Sequence, residues 1–346
     1  MKSLKKFFAL CLTLALVLSL AACAQKPAET TDPAETPDTP AQETEAPVTA
    51  RIAALKGPTA MGLVKLMSDA PSSANGPLYD FTLAGSADEV TPALIKGELD
   101  MACVPANLAA VLYNKTEGAV QVLAVNTLGV LYIVENGESV QSLADLKGKT
   151  VVAAGKGSTP EYALRYLLSE NGIDPETDVT IQWASEHAEC LAALQADPSI
   201  VCMLPQPFAT SALAKVEGAR IALDLTEVWD ETVAATAGDS QLITGVAVAR
   251  SAFASEHPAA VEELLDAYAA SVDFVNDDPS TAAQLIEAAD IVTAQVAERA
   301  IPYCNIVCMT GAEMAGALTG DIQTLYDADP ASVGGAMPGD DFCYGA

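Results

Sequence analysis

The chain has 346 residues, with 46 acidic against 17 basic side chains and a formal net charge of −29 at pH 7. Acidity on this scale excludes a nucleic-acid backbone as natural partner, and 51% hydrophobic residues exclude a wholly disordered chain. The part beyond the N-terminal segments, ~300 residues, exceeds one domain of usual size, so two lobes are expected.

Lys2, Lys5 and Lys6 precede an apolar run from Phe7 to Ala22 that stops at Cys23. A positive start, an apolar centre and small residues before a cleavage point describe an export signal over 1–22. The run is shorter than the ~20 apolar residues a spanning helix wants. Leu20-Ala21-Ala22-Cys23 resembles the bacterial lipobox, which implies lipidation at Cys23 and an extracytoplasmic, membrane-anchored protein. From Ala24 to Thr49 the chain is built mainly from Pro, Thr, Ala, Glu and Asp, with no aromatic residue and no bulky aliphatic residue until Val48. Such a stretch cannot bury enough surface to offset its ordering entropy, so 23–49 is expected to be an acidic tether.

From Arg51 onward, short β-type runs alternate with helix-period runs, the pattern of parallel α/β structure. Strands are expected at Arg51 to Leu55, Asp80 to Ala84, Asp100 to Val104 and Val120 to Asn126, with helices at Ala60 to Asp69, Asp88 to Gly97 and Ala106 to Lys115. A second unit has strands at Thr150 to Ala154, Val179 to Trp183, Ile200 to Leu204 and Arg220 to Leu223. Its helices are Pro160 to Asn171, Glu186 to Ala196 and Gln206 to Val216. Extended segments at Asn126 to Val134 and Gln241 to Ala249 read as paired hinge strands, followed by four or five helices between His257 and Tyr326. The expected division is 50–126 for the first part of lobe 1, 127–243 for lobe 2, and 244–346 for the rest of lobe 1 with the C-terminal helices.

The first strand of each unit ends alike: Lys56-Gly57-Pro58-Thr59 and Lys156-Gly157-Ser158-Thr159, each running into a helix. Neither fits a phosphate loop or a dinucleotide fingerprint, so no cofactor is expected. Glycine lets a guest approach the backbone, hydroxyls cap or bond, and helix N-termini attract negative groups. Either loop alone fits an ordinary helix start. Two matching loops on facing lobes would clamp a small molecule. Candidate contacts are therefore Gly57, Pro58, Thr59, Ala60 and Met61 on one side and Gly157, Ser158 and Thr159 on the other, with Lys56 and Lys156 able to add charge. Asn107, Glu186 and Gln206 follow other strand ends and offer polar walls, and Thr127, Leu128 and Thr244 on the hinges offer a floor. Trp183 reads as core, and His187 is the one residue near the cleft with the chemistry for acid–base work.

Six cysteines follow Cys23, with no CxxC and only two histidines, so no metal is expected. Cys304 and Cys308 would share a helix face if their segment is helical.

The lipobox, the tether, Leu143-Ala144-Asp145-Leu146-Lys147-Gly148-Lys149 leading into lobe 2, and Leu204-Pro205-Gln206-Pro207-Phe208 resemble the type II periplasmic binding proteins of ABC importers. The likeness is to the group holding sulfonate, taurine, nitrate and thiamine-precursor binders. It implies a two-lobed α/β fold with two hinge strands, a monomer, and a small anionic or heteroaromatic solute held between the lobes. It also implies permease and ATPase partners, and ligand contacts at Gly57 to Met61, Gly157 to Thr159, Asn107 and Gln206. No catalysis is expected. A menaquinone-pathway-like dehydratase on the same fold and a ligand sensor for a membrane receptor are the alternatives. The cysteine-rich motif of the pyrimidine-synthesising enzymes on this fold is absent.

Overall fold

A computed structural model describes residues 48–70, 72, 73, 76–236, 238 and 240–346. The export signal, Cys23 and the tether up to position 47 lie outside the described residues.

Strand β1 (Ala50–Leu55) is short, apolar and mostly buried, as a strand covered on both faces must be. It runs into one helical turn, α1 (Pro58–Met61), and then α2 (Val64–Asp69). Periodicity read these as one helix, and a single side chain explains the break. The Ser271 hydroxyl accepts from Leu66 N–H at 3.1 Å and donates to Gly62 C=O at 2.6 Å, so it occupies the place of one helical hydrogen bond. A minimal hairpin, β2 (Ser72–Ser73) and β3 (Gly76–Pro77), precedes β4 (Tyr79–Ala84) and α3 (Ala87–Ile95). Then come β5 (Met101–Pro105), α4 (Ala106–Lys115) and β6 (Val120–Leu128).

Beyond Gly129 and Val130 the chain builds a second sheet. It contains β7 (Leu131–Asn136), β8 (Thr150–Ala154), α5 (Thr159–Glu170), β9 (Thr180–Ala184) and α6 (His187–Ala196). It finishes with β10 (Val201–Pro205), α7 (Phe208–Lys215), β11 (Ala219–Asp224) and α8 (Leu225–Ala235). Helix α8 was not foreseen, although Leu225, Trp229, Thr232 and Val233 stand at helical spacing and are all buried. Its N-cap is Asp224, whose carboxylate accepts from Thr226 N–H at 2.8 Å.

Strand β12 (Ile243–Arg250) returns to the first sheet. The remainder is α9 (Ser251–Glu256), α10 (Pro258–Asp277), α11 (Pro279–Ala288), α12 (Ala294–Ala300), β13 (Ile306–Met309) and α13 (Gly311–Ala328). The helix-face reading of Cys304 and Cys308 is corrected here: Cys304 follows a 3-10 turn and Cys308 lies in β13. Both are free thiols, as are Cys103, Cys190, Cys202 and Cys343.

The first sheet has the order β13-β6-β12-β5-β1-β4 and the second β11-β7-β10-β8-β9. Strand β1 is parallel to β4 and β5, and β8 is parallel to β9 and β10. Strands β6 and β12 pair antiparallel with Ile243 opposite Leu128 and Gly245 opposite Thr127, so the two crossings between sheets run side by side. Alternate residues of the first sheet feed two cores. Ala102, Val104, Val122 and Val246 pack with Met314, Leu318 and Ile322 of α13, in a cluster that continues into Ile133, Leu164 and Trp229 of the second lobe. Ile52, Ala54, Cys103 and Ala247 pack instead beneath α10 to α12. The lobes thus share apolar packing along one side of the crossings and leave their strand ends facing each other on another.

Candidate functional site

In parallel α/β sheets the carboxyl ends of the strands carry the loops that can close round a guest. Here the ends of β1, β4 and β5 in one lobe and of β8 and β9 in the other line a cleft of 330 Å³. Lobe 1 contributes Leu55, the Gly85-Ser86-Ala87-Asp88 turn and Pro105; lobe 2 contributes Ala154 to Lys156, Ser158, Pro160 and the Ala184-Ser185-Glu186-His187 turn. The volume falls within the range of small-molecule sites.

Of the sequence candidates, Ser158 and Glu186 line this space directly. Ser158 is the N-cap of α5, and no side-chain capping bond engages its hydroxyl. Glu186 reaches the opposite lobe: a Cβ on Gly85 would sit 2.8 Å from its Oε1. Gly157 is at φ +75 with open space beside its Cα, in the left-handed region that favours glycine.

The loop after β1 behaves differently from the loop after β8. Gly57 has φ +145 and open space beside it, but Thr59, Ala60 and Met61 turn into lobe 1 and are buried. Pro58 is half-buried. The Thr59 hydroxyl donates to Leu55 C=O at 3.0 Å, which answers it locally. Lys56 faces Asp290 at 2.8 Å, whereas Lys156 joins no ion pair among the described residues.

Asn107 and Thr159 are fully buried and join the two lobes. Asn107 N–H donates to the Thr159 hydroxyl, which donates to Asn107 Oδ1, both at 3.2 Å. Asn107 Nδ2 donates to Ser332 C=O at 2.8 Å and to Gly157 C=O at 3.4 Å. Gln206 is also internal: its Oε1 accepts from Thr210 N–H at 3.1 Å and from the Thr210 hydroxyl at 2.8 Å, tying the start of α7. Thr244 donates to Leu128 C=O at 2.6 Å, and Thr127 donates to Asn126 Oδ1 at 3.1 Å, so these hinge residues hold backbone and neighbours. Leu128 is half-buried against the shared core. Trp183 is half-buried against the same core.

His187 lines the cleft with its ring 5.5 Å from that of Phe208. Burial lowers its pKa to about 4, so the imidazole is neutral at pH 7. Its Nδ1 is buried and has no partner among the described residues.

The Gly85 to Asp88 turn was missed as a wall. Its signal was present, because Gly85-Ser86 ends a strand and Ser86 with Glu89 forms a capping box. What local pattern does not supply is that β4 is an edge neighbour of β1, which swings this turn toward lobe 2.

Comparison with known proteins matches residues 72–298 to the family described as ABC transporter, phosphonate, periplasmic substrate-binding protein. No curated relative matches by sequence. Among solved structures, an ABC transporter protein from Parabacteroides distasonis is 24% identical with a TM-score of 0.70, over 86% of this chain and 98% of its own. The periplasmic aliphatic sulphonate binding protein of Escherichia coli is 18% identical with a TM-score of 0.64, over 82% of this chain and 88% of its own. The alkanesulfonate-binding protein of Xanthomonas axonopodis, solved with MOPS bound, is 16% identical with a TM-score of 0.65, over 85% and 96%. These structures share the two-lobed periplasmic binding protein fold. With the family match spanning most of the body, the chain belongs to the phosphonate ABC transporter periplasmic substrate-binding protein family and is a solute-binding component of an ABC import system.

Proposed function

We propose that the cleft between the two sets of strand ends captures one small solute with an anionic or carbonyl-bearing head, or a heteroaromatic ring, and presents it to the permease. The observation that carries this reading is the convergence of strand ends from both lobes on one cavity of 330 Å³. Ser158, Glu186, Lys156 and the backbone beside Gly57 and Gly157 are the proposed contacts. The sulfonate ligands named for the Escherichia coli and Xanthomonas neighbours support an anionic head.

In this proposal 50–126 and 244–346 form one lobe and 127–243 the other, the protein acts as a monomer without catalysis, and Cys23 carries a lipid. The acidic stretch after Cys23 would then hold the body off the membrane. The enzyme alternative gains no support from the cleft, whose one imidazole has no carboxylate partner among the described residues, and a ligand sensor would use the same clamp.

The test is thermal unfolding of the body from Val48 onward, with and without a panel of sulfonates, phosphonates, oxyanions and pyrimidines. A ligand at 100 times its Kd adds about 2.7 kcal/mol, a few degrees at this size. A selective shift without turnover supports the proposal. No shift across the panel, or conversion of a compound to product, refutes it.

A further inference from the structure

Three of the helices that begin at the cleft, α3, α5 and α6, carry their own carboxylate folded back over the first turn, whereas α4, which begins at Pro105, has no acidic residue in its first turn. In α3, Glu89 Oε1 accepts from Gly85 N–H and Ser86 N–H, each at 3.0 Å, and from the Ser86 hydroxyl at 3.3 Å. In α5, Glu161 accepts from Gly157 N–H at 2.7 Å, and in α6, Glu189 accepts from Ser185 N–H at 2.9 Å. The donors and the positive helix end that would draw an anion into the cleft are therefore partly answered from within.

The remaining charges run the same way. Asp88 and Glu186 stand on the cleft wall. Glu161 is matched by Arg165 at 2.9 Å, but Asp88, Glu89, Glu186 and Glu189 have no cationic partner among the described residues. Against these four carboxylates the lining offers one cation, Lys156, and one neutral imidazole, His187, whose buried Nδ1 lacks a partner among the described residues. A ligand atom bonded there would be met by a dipole and no charge.

We propose that the cleft selects a solute whose head carries at most one negative charge, and that Glu89 and Glu189 set this discrimination. The inference rests on the cleft reading above and departs from the ligand in the family's description. Sulfonate and phosphonate heads are both tetrahedral with three oxygens, and in mildly alkaline buffer they differ by one charge. Shape and lobe closure admit both alike, which leaves electrostatics to separate them. A second charge beside unpaired carboxylates at a partly solvated wall is disfavoured by roughly tenfold.

Calorimetric titration of the body from Val48 onward with matched pairs of alkylsulfonates and alkylphosphonates tests this. The sulfonate of a pair should bind at least about tenfold more tightly. In the double variant Glu89→Gln and Glu189→Gln that preference should shrink to less than about threefold, because glutamine keeps the accepting oxygen and removes the charge. If the double variant fails to melt cooperatively, the two single variants are read in the same way. Equal or tighter phosphonate binding by the wild type overturns the inference and leaves the cleft reading standing. An undiminished preference in the variants overturns the assignment to Glu89 and Glu189. Absence of binding by every pair overturns the anionic-head reading and this inference together.

Discussion

Replacing Asn107 with alanine separates a structural role from a ligand contact. The substitution removes the donor that meets Ser332 C=O at 2.8 Å and the acceptor of the Thr159 hydroxyl at 3.2 Å, both inside the protein. An unpaired buried carbonyl costs about 1–3 kcal/mol, and the lost hydroxyl bond adds about 0.5–1.5 kcal/mol. The sum, about 1.5–4.5 kcal/mol, corresponds to a fall in Tm of roughly 2–7 °C for a body of about 300 residues. Differential scanning calorimetry of the ligand-free protein measures it. Thr159→Val should lose less than Asn107→Ala, and the double variant should fall short of the sum by at least about 0.5 kcal/mol, since the two side chains share bonds. A Tm within about 1 °C of wild type, together with weakened solute binding, would refute this reasoning and return Asn107 to the cleft.

Ser158→Ala should weaken solute binding about 2- to 13-fold, the equivalent of about 0.5–1.5 kcal/mol, while Thr59→Val should leave affinity within about twofold, because its hydroxyl already serves Leu55 C=O. Titration calorimetry on both variants checks the contrast. Gly245→Ala places a Cβ 2.5 Å from Asn126 Oδ1 and 2.6 Å from Thr59 Cγ2, and should cost about 1–3 kcal/mol in urea unfolding. Asp100 is buried, and burial pushes its carboxyl pKa up. Hydrogen bonds from Arg51 and Arg250 and the Arg51 charge outweigh this and leave it below the usual 3.8. A lowered folded pKa means stability that is fully present above about pH 4 and lost as pH falls through the folded value. Asp100→Asn should therefore cost about 2–3 kcal/mol at pH 7, discounted for the partial exposure of Arg51, and the gap to wild type should close on acidification below 3.8.

The parallel α/β character, the two units and the extended segments between them were legible because they are local: β-branched runs, helical spacing and glycine punctuation act within a few residues. The elements that escaped show the limit of that legibility. Helix α8 has helical spacing that could have been read, whereas β13 follows a proline-bearing 3-10 turn and becomes a strand only by pairing with β6. The split of α1 from α2 needed Ser271, more than two hundred residues away in sequence.

The candidate site divides in the same way. By itself the sequence determined that strand ends carry glycine, hydroxyl and helix start, since these motifs satisfy backbone groups within a single turn. Which of those ends share a cleft was decided by tertiary structure alone. The loop after β1 is drawn into the core because Ala60 and Met61 have apolar partners under α10, whereas the turn after β4 stays at the surface of the cleft. Asn107 looks like a polar wall in isolation and becomes an internal tie only because Thr159 and Ser332 arrive beside it from distant parts of the chain. A buried polar group must find partners wherever the fold brings them, and no window of sequence holds that information.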